Sequence, residues 1–324
     1  MTINLFTFCV DIDKHTQDEL RSVLSLLVSS LDKNVKNYEL IVYTNFDLNL
    51  EHKLVKIRKY YDNTPIKERK LITSSNEFCK ICKLPGELDK CDGKMCDVQF
   101  HKNCLKVEDK DIEVAFCPNC FPPKGFFKFK NKWLNLSFNK INLYNDLYNE
   151  TGINYTWIDL DTYVTSDISY INNIDAFFVE NGGLSDEKWF LFMERRDYAV
   201  TTNRYIQGNV WKLNRTHYTN IMNLYEELLE NKMYPQYDLQ DIFNFYVHFK
   251  GVDVPILDGL NGLAIWYEKK HEGPNSEALA KFYYDENGIL RTSYHPDKEI
   301  HFVSFVMHKL LTLMNDENFK NLIK

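Results

Sequence analysis

The stretch that decides the fold covers residues 138–165 and reads FNKINLYNDLYNETGINYTWIDLDTYVT. Its first half has apolar side chains at helical spacing, which predicts a helix over 138–150. An apolar run of strand length follows over 155–160. This run carries Asp159 and Asp161 at its end, and carboxylates two residues apart on a strand end point to the same side. Such a pair supplies the hard oxygen ligands that Mn²⁺ or Mg²⁺ prefers.

The preceding part of the chain predicts the rest of the sheet. Apolar or alternating runs predict strands over 3–10, 39–44 and 54–60, and leucines and valines at helical spacing predict a helix over 16–31. With the helix and strand described above, the element order is β-α-β-β-α-β. This order predicts an α/β fold with a doubly wound, Rossmann-like sheet. Ligands of such sheets bind beyond the carboxyl ends of the strands, where Asp11 follows the first strand.

A cysteine-rich segment interrupts this pattern. Seven of the eight cysteines fall between positions 79 and 120, together with one histidine. In order they are Cys79, Cys82, Cys91, Cys96, His101, Cys104, Cys117 and Cys120. Pairs spaced Cys-x2-Cys reach one tetrahedral ion from a tight turn, so eight ligands in four pairs predict two zinc sites. The alternative is a disulfide framework, which needs an exported chain and gives the histidine no role.

The ligand order of four cysteines, a histidine and three cysteines resembles a PHD finger. That resemblance implies interleaved ligand pairs. One zinc would be held by Cys79, Cys82, His101 and Cys104, and the other by Cys91, Cys96, Cys117 and Cys120. A RING finger has its histidine one place earlier, which argues against a ubiquitin ligase. The predicted finger covers 76–123, inserted into a domain formed by 1–75 and 124–324.

Two functions of the finger stay open. It either has a structural or protein-contact role, or it reads a peptide such as a histone tail. Gln99 stands where PHD fingers that bind methyl-lysine usually have a tryptophan, and an amide has no π face for a methylated ammonium.

Composition limits the class of protein. The chain has 324 residues, a formal net charge of −7 and 15% aromatic residues. The aromatic content excludes wholesale disorder, and the negative charge argues against broad nucleic-acid binding. No window has the ~18 apolar residues of a membrane span, and the apolar start lacks a cationic leader. A cytoplasmic protein is expected, with a nucleocytoplasmic location, or the cytoplasm of a host cell if the chain is viral, as alternatives.

Two further segments carry a pattern of their own. Residues 124–133 place four lysines among aromatic side chains. This segment is expected to lead the chain back into the main domain with its lysines in water, and the alternative is contact with nucleic acid or an anionic membrane. Residues 302–323 predict an amphipathic helix that covers the sheet.

Several motifs outside the finger together resemble a GT-A glycosyltransferase, close in style to family 8. The first is the stretch from Leu136 to Asp167, in which a basic residue opens a helix and an apolar strand ends in Asp-x-Asp. The others follow in the family's order: 208–214 with its Gly-Asn start, 238–244 with an acidic-Gln-Asp motif, and 300–302 with a late histidine. The resemblance covers nearly all of 1–75 and 125–324.

The resemblance implies a role for each matched residue. Asp161 would bind the metal, Asp159 would bind the metal or the ribose, and His301 would complete the site. Residues expected around the donor are Asp11 at the base, and Lys140, Asn209 and Lys309. Gln240 and Asp241 would lie near the reacting face of the sugar.

Some of these assignments have alternatives. The glycine and lysine that usually follow the late histidine are Ser304 and Met307 here, so Lys309 reaches the diphosphate only from a longer loop, or His308 is the metal ligand instead. Lys140 is otherwise a solvated helix residue, and Asn209 a turn residue.

The expected activity is therefore Mn²⁺- or Mg²⁺-dependent transfer from a UDP-sugar to a protein or glycan acceptor. The alternative is an inactive transferase fold that serves as a peptide-binding adaptor.

Overall fold

The computed structural model describes residues 2–12, 14–61, 79, 82–84, 86, 88–90, 99–101, 104, 126–180, 204–230, 239–261, 282–286, 290–292, 299–305 and 307–315. The strands in chain order are β1 (Ile3–Cys9), β2 (Tyr38–Thr44), β3 (Val55–Lys59), β4 (Asp89–Lys90), β5 (Gln99–Phe100), β6 (Thr156–Ile158), β7 (Thr162–Val164), β8 (Phe177–Glu180), β9 (Ile206–Lys212), β10 (Ile256–Leu257), β11 (Leu260–Asn261), β12 (Phe282–Tyr284), β13 (Leu290–Thr292) and β14 (Phe302–Ser304). The helices are α1 (Gln17–Asn34), α2 (Phe126–Thr151), α3 (Arg215–Glu230), α4 (Leu239–Asn244) and α5 (Met307–Leu313), with a 3₁₀ turn over Ser169–Asn173 and a π-helical turn over Phe245–Phe249.

The main sheet has seven strands in the order β10-β8-β9-β6-β1-β2-β3. All neighbours are parallel except β9, which runs antiparallel to both β6 and β8. The predicted mixed α/β fold is therefore confirmed at the level of a mostly parallel sheet compatible with a Rossmann-like fold. The chain extends this sheet to opposite sides of β1, first with β2 and later with β6, so β1 and β6 form the topological switch point.

The central strands are buried on both faces, as their continuous apolar runs predict. Every side chain of β1 is buried except Asn4, and every side chain of β2 is buried except Glu39. One hydrophobic cluster packs α1 and α5 against one face, and a second packs α2, α3 and α4 against the other. The strand β3 lies at the edge and is largely exposed.

Local hydrogen bonds set the start of helix α1. The Thr16 hydroxyl accepts a hydrogen bond from the Glu19 backbone N–H, and the Glu19 carboxylate accepts one from the Thr16 N–H, which forms a capping box. Helix α2 ends at Gly152, which adopts a φ of +71°. The predicted start of this helix at 138 is wrong, because the helix runs back to Phe126. It therefore includes most of the lysine-rich segment 124–133.

The prediction of one helix over 302–323 is also wrong. Residues Phe302–Ser304 form β14, and the helix begins only at Met307. All three residues of β14 are buried, since this strand is the centre of a small sheet in the order β11-β14-β7. An apolar run this short has no periodicity that separates a strand from a helix, so pairing with β7 decides it. Residues 316–324 lie outside the described residues.

No helix in the described part of the chain is both long enough and apolar enough to cross a membrane.

Candidate functional site

The first predicted zinc set is assembled. One ligand atom from each of Cys79, Cys82, His101 and Cys104 lies within 4.8 Å of the others, so this cluster can hold one metal ion. The His101 Nδ1 atom lies 3.2 Å from the Cys82 Sγ atom and 3.7 Å from the Cys104 Sγ atom. Three sulfurs and one imidazole nitrogen in this arrangement form the donor set of a structural zinc site. None of the four described cysteines, Cys9 included, forms a disulfide, which contradicts the disulfide alternative for these positions.

Backbone N–H groups donate hydrogen bonds to one sulfur of this cluster. The Cys79 sulfur accepts hydrogen bonds from the backbone N–H groups of Cys82 and His101, at 3.5 and 3.3 Å, as expected for a thiolate ligand. The pKa of Cys104 rises to about 11, first because of its hydrogen bond with Cys82. The Cys104 thiol therefore resists ionisation unless a cation neutralises it, so the cluster fits a divalent metal.

A glycine leaves space for the imidazole of the histidine in this cluster. Gly86 has a φ of +153°, and a β-carbon at this position would lie 2.6 Å from the His101 Nε2 atom. Only a residue without a side chain leaves the imidazole where it is. The second zinc set, Cys91, Cys96, Cys117 and Cys120, lies outside the described residues and stays a prediction.

Aspartates lie at the carboxyl edge of the main sheet. Asp11 follows β1 and Asp159 follows β6, and these two strands are neighbours. Asp11 is anchored to the end of β2, because its N–H donates to the Asn45 Oδ1 atom at 2.9 Å and its carbonyl accepts from Asn45 Nδ2 at 2.8 Å. The predicted strand through residue 160 ends earlier, at Ile158. The chain then turns, with the Thr162 N–H donating to the Asp159 carbonyl at 3.1 Å.

Lys140 and Trp157 hold the Asp159 carboxylate. The Lys140 Nζ atom lies 2.6 Å from the Asp159 Oδ1 atom, and the Trp157 Nε1–H donates to the same oxygen at 2.7 Å. The lysine ammonium also lies over the Trp157 ring, 4.9 Å from its centroid. Lys140 is therefore not the solvated helix residue of the alternative interpretation. Its contacts leave the second Asp159 oxygen as the one available to a ligand.

Asp161 lies in an environment that opposes its negative charge. Burial, followed by the neighbouring charge of Asp159, raises the pKa of Asp161 from 3.8 to about 7. The Asp161 carbonyl accepts a hydrogen bond from the Phe305 N–H at 2.9 Å, which ties the Asp-x-Asp turn to the end of β14. Two carboxylates crowded at one partly buried turn are what a divalent cation would stabilise.

His301 does not join this pair. The register of β14 against β7 sets Ser304 opposite Thr162, so His301 lies at the far end of β14, beside Thr165. Its ring contacts Ser166, with 2.5 Å between Nδ1 and Oγ, and Glu299, with 3.5 Å between Nε2 and Oε2. The expected third metal ligand is therefore not brought to Asp159 and Asp161. His308 and Lys309 lie on α5, and their side chains are outside the described residues.

Asn209 instead occupies the position beside the Asp-x-Asp turn. Its carbonyl accepts the Asp159 N–H at 2.7 Å, and its side-chain amide contacts the Ser304 hydroxyl. The side chain is buried, and its Oδ1 atom has no hydrogen-bond partner among the described residues. Asn209 belongs to β9, so the interpretation as a turn residue is wrong. Ser304 was not assigned a role from the sequence, because only the register of β14 shows its position.

Gln240 holds the strand next to this site. Its amide oxygen Oε1 accepts a hydrogen bond from the Gly208 N–H at 3.1 Å, and its Nε2 donates to the Tyr205 hydroxyl at 2.9 Å. A β-carbon at Gly208 would lie 3.3 Å from the Gln240 Cβ atom, so the glycine permits this close approach of α4 to β9. Both polar atoms of the Gln240 amide are thus engaged in positioning β9. The side chain of Asp241 lies outside the described residues.

No family model matches the chain, and a search of curated proteins finds no significant match.

The Gly86→Ala substitution is expected to weaken the described zinc cluster by about 10- to 100-fold, the range found when groups that orient metal ligands are changed. The new methyl group would displace the His101 ring. Competition with a chromophoric chelator measures the affinity.

The matched control is Gly251→Ala, since Gly251 has a φ of +63° and open space where a β-carbon would lie. It also places a side chain at a positive φ, without touching the cluster. Equal zinc retention in the two variants would show that Gly86 does not orient His101.

The Asp161→Asn substitution is expected to stabilise the protein at pH 8 in buffer without added Mn²⁺ or Mg²⁺. The folded state keeps a proton on Asp161 up to about pH 7, whereas the unfolded chain releases it near 3.8. The folded state binds more protons in between, so stability falls as the pH rises from about 4 to 7. Removing the charge should raise Tm by roughly 4 °C or more at pH 8 and have little effect at pH 4.

Thermal unfolding monitored by circular dichroism measures this difference. Asp253→Asn removes an exposed carboxylate and serves as the control. If the Asp161→Asn protein were less stable than the wild type at pH 8, the ionised Asp161 carboxylate would stabilise the fold, which would contradict this prediction.

Proposed function

We propose that the chain is a metal-dependent glycosyltransferase of the GT-A type, which transfers a sugar from a UDP-sugar with the help of Mn²⁺ or Mg²⁺. The observation that carries the proposal is the position of Asp159 and Asp161. They follow β6 at the switch point of the sheet, beside β1 and its Asp11. Ligands of doubly wound sheets bind at this place, and paired carboxylates select a hard divalent cation.

The donor set fits such a cation. Asp161 lies partly buried beside the charge of Asp159, and one Asp159 oxygen is left uncommitted by Lys140 and Trp157. The bound cation would neutralise the charge that builds on the departing diphosphate. The protein ligands in this proposal are Asp159 and Asp161, and His301 is omitted because its ring contacts Ser166 and Glu299.

The other residues position the donor. Lys140 orients Asp159 through their 2.6 Å contact, and its ammonium adds positive charge next to the phosphate position. Asp11, anchored through Asn45, would meet the base of the nucleotide. Gln240 positions Gly208 and Asn209 along the same edge, so in this proposal it acts through β9 rather than as a group that touches the sugar.

The finger contributes structure or partner contact in this proposal. Its described cluster is compatible with a zinc site of PHD type, and the second zinc completes it. The missing tryptophan at Gln99 supports a contact or structural role over reading of methyl-lysine.

Calorimetric titration of UDP, with and without Mn²⁺, tests the proposal. Micromolar binding that requires Mn²⁺ is expected for the wild type. Asp161→Asn should reduce the affinity by at least about 100-fold, since it removes a direct ligand of the cation. Asp253→Asn, which changes only an exposed carboxylate, should bind as the wild type does.

Absence of UDP binding in folded protein that retains its zinc would contradict the proposal. It would favour the alternative of an inactive transferase fold that acts as an adaptor.

A further inference from the structure

A polar groove lies at the opposite edge of the main sheet from the candidate site. Its volume is about 370 Å³, within the range of small-ligand sites. It is bordered by the amino ends of β1 and β6, by the 3₁₀ turn Ser169–Asn173 and by Lys212 at the end of β9. The seven residues of β1 separate the two edges by roughly 20 Å, so a ligand here does not occupy the site at Asp159.

Lys212 is a charged group built into this groove. Its side chain is only 8% exposed, and burial lowers its pKa. The ammonium donates to the carbonyl oxygens of Ile171 and Ile174, at 3.1 and 2.7 Å. An ammonium has three N–H groups, and the third has no acceptor among the described residues. Burying a charge with a donor left over is costly unless a ligand or water accepts it.

Three asparagines line the groove. They are Asn4, Asn172 and Asn173, and none of them makes a side-chain hydrogen bond within the described part of the chain. Each amide offers two donors and an acceptor side by side. This combination of donors and an acceptor matches the neighbouring hydroxyl groups of a sugar, each of which also donates and accepts.

The charge of the groove selects the class of ligand. Lys212 and Asp175 both line the groove, so their formal charges cancel, and the Asp175 Oδ2 atom accepts from Asn214 Nδ2 at 2.6 Å. The lining therefore has no net positive charge to bind a phosphate or a carboxylate strongly. Ile153, which is 40% exposed, adds an apolar surface of the kind that packs against the C–H face of a sugar ring.

We propose that this groove binds the sugar units of a glycan, through the amides of Asn4, Asn172 and Asn173 and the third N–H of Lys212. This binding site is separate from the transfer reaction and does not depend on Mn²⁺ or UDP. A glycan held there would keep a carbohydrate chain or a glycosylated partner on the protein.

An array of defined neutral oligosaccharides probed with the full-length chain tests this proposal, followed by calorimetric titration of the strongest binder. Binding of at least one oligosaccharide is expected without Mn²⁺ and equally in Asp161→Asn. The double variant Asn172→Ala with Asn173→Ala should weaken the titrated oligosaccharide by at least about 10-fold, since two donor-acceptor pairs are lost. Asn4→Ala should weaken it from the other side of the groove.

Asn223→Ala is the matched control, because it removes an exposed asparagine outside the groove. The proposal is overturned if no oligosaccharide binds, or if binding is unchanged in the double variant and in Asn4→Ala. Titration with inorganic phosphate is the second probe, and phosphate binding in place of oligosaccharide binding would overturn the assigned ligand class. If UDP binding fails while oligosaccharide binding depends on the asparagines, only the transferase proposal falls.

Discussion

The pairing of β1 with β2 on one side and β6 on the other is the constraint on which the rest of the structure depends. Residues Ile3 to Cys9 match Tyr38 to Thr44 one for one in parallel, and Leu5 and Phe6 pair with Thr156 and Trp157. Parallel neighbours end at the same edge of a sheet, so Asp11 and Asp159 both lie at that edge. Both β1 and β2 are buried on both faces, so their side chains pack into the two hydrophobic clusters on either side of the sheet.

The Cys/His cluster and the carboxylate pair of the proposed cation site differ in ligand type. The cluster of Cys79, Cys82, His101 and Cys104 offers sulfur and imidazole, which suit zinc, whereas Asp159 and Asp161 offer only oxygen. The sulfur ligands come from a short hairpin segment around β4 and β5, and the oxygen ligands come from the switch point of the large sheet. In the proposed function, the zinc would stabilise a small fold and the second ion would bind together with the donor.

Features set by neighbouring residues in the chain could be predicted from the sequence. The cysteine spacing predicted metal sites, the resemblance to a PHD finger implied the ligand set of the described cluster, and the apolar patterns predicted β1, β2 and α1. Asp159 and Asp161 could be placed after a strand because the strand, the turn and both carboxylates lie within one short stretch.

Features set by long-range pairing could not be predicted. His301 was expected at the metal, but the register of β14 against β7 sets Ser304 and Phe305 there instead. Likewise, the sequence gives no sign that β9 inserts antiparallel between β6 and β8, which is what brings Asn209 to Asp159. The buried Lys212 was missed for the same reason, since its carbonyl partners Ile171 and Ile174 lie about 40 residues away.

The most direct test of the account is a crystal structure of the protein with Mn²⁺ and UDP, recorded at an energy that gives manganese an anomalous signal. The account predicts an anomalous peak at ligand distance, about 2.2 Å, from carboxylate oxygens of Asp159 and Asp161, with the diphosphate on its other side. The uracil should lie toward Asp11. A peak elsewhere, or UDP bound away from the carboxyl ends of β1 and β6, would contradict it.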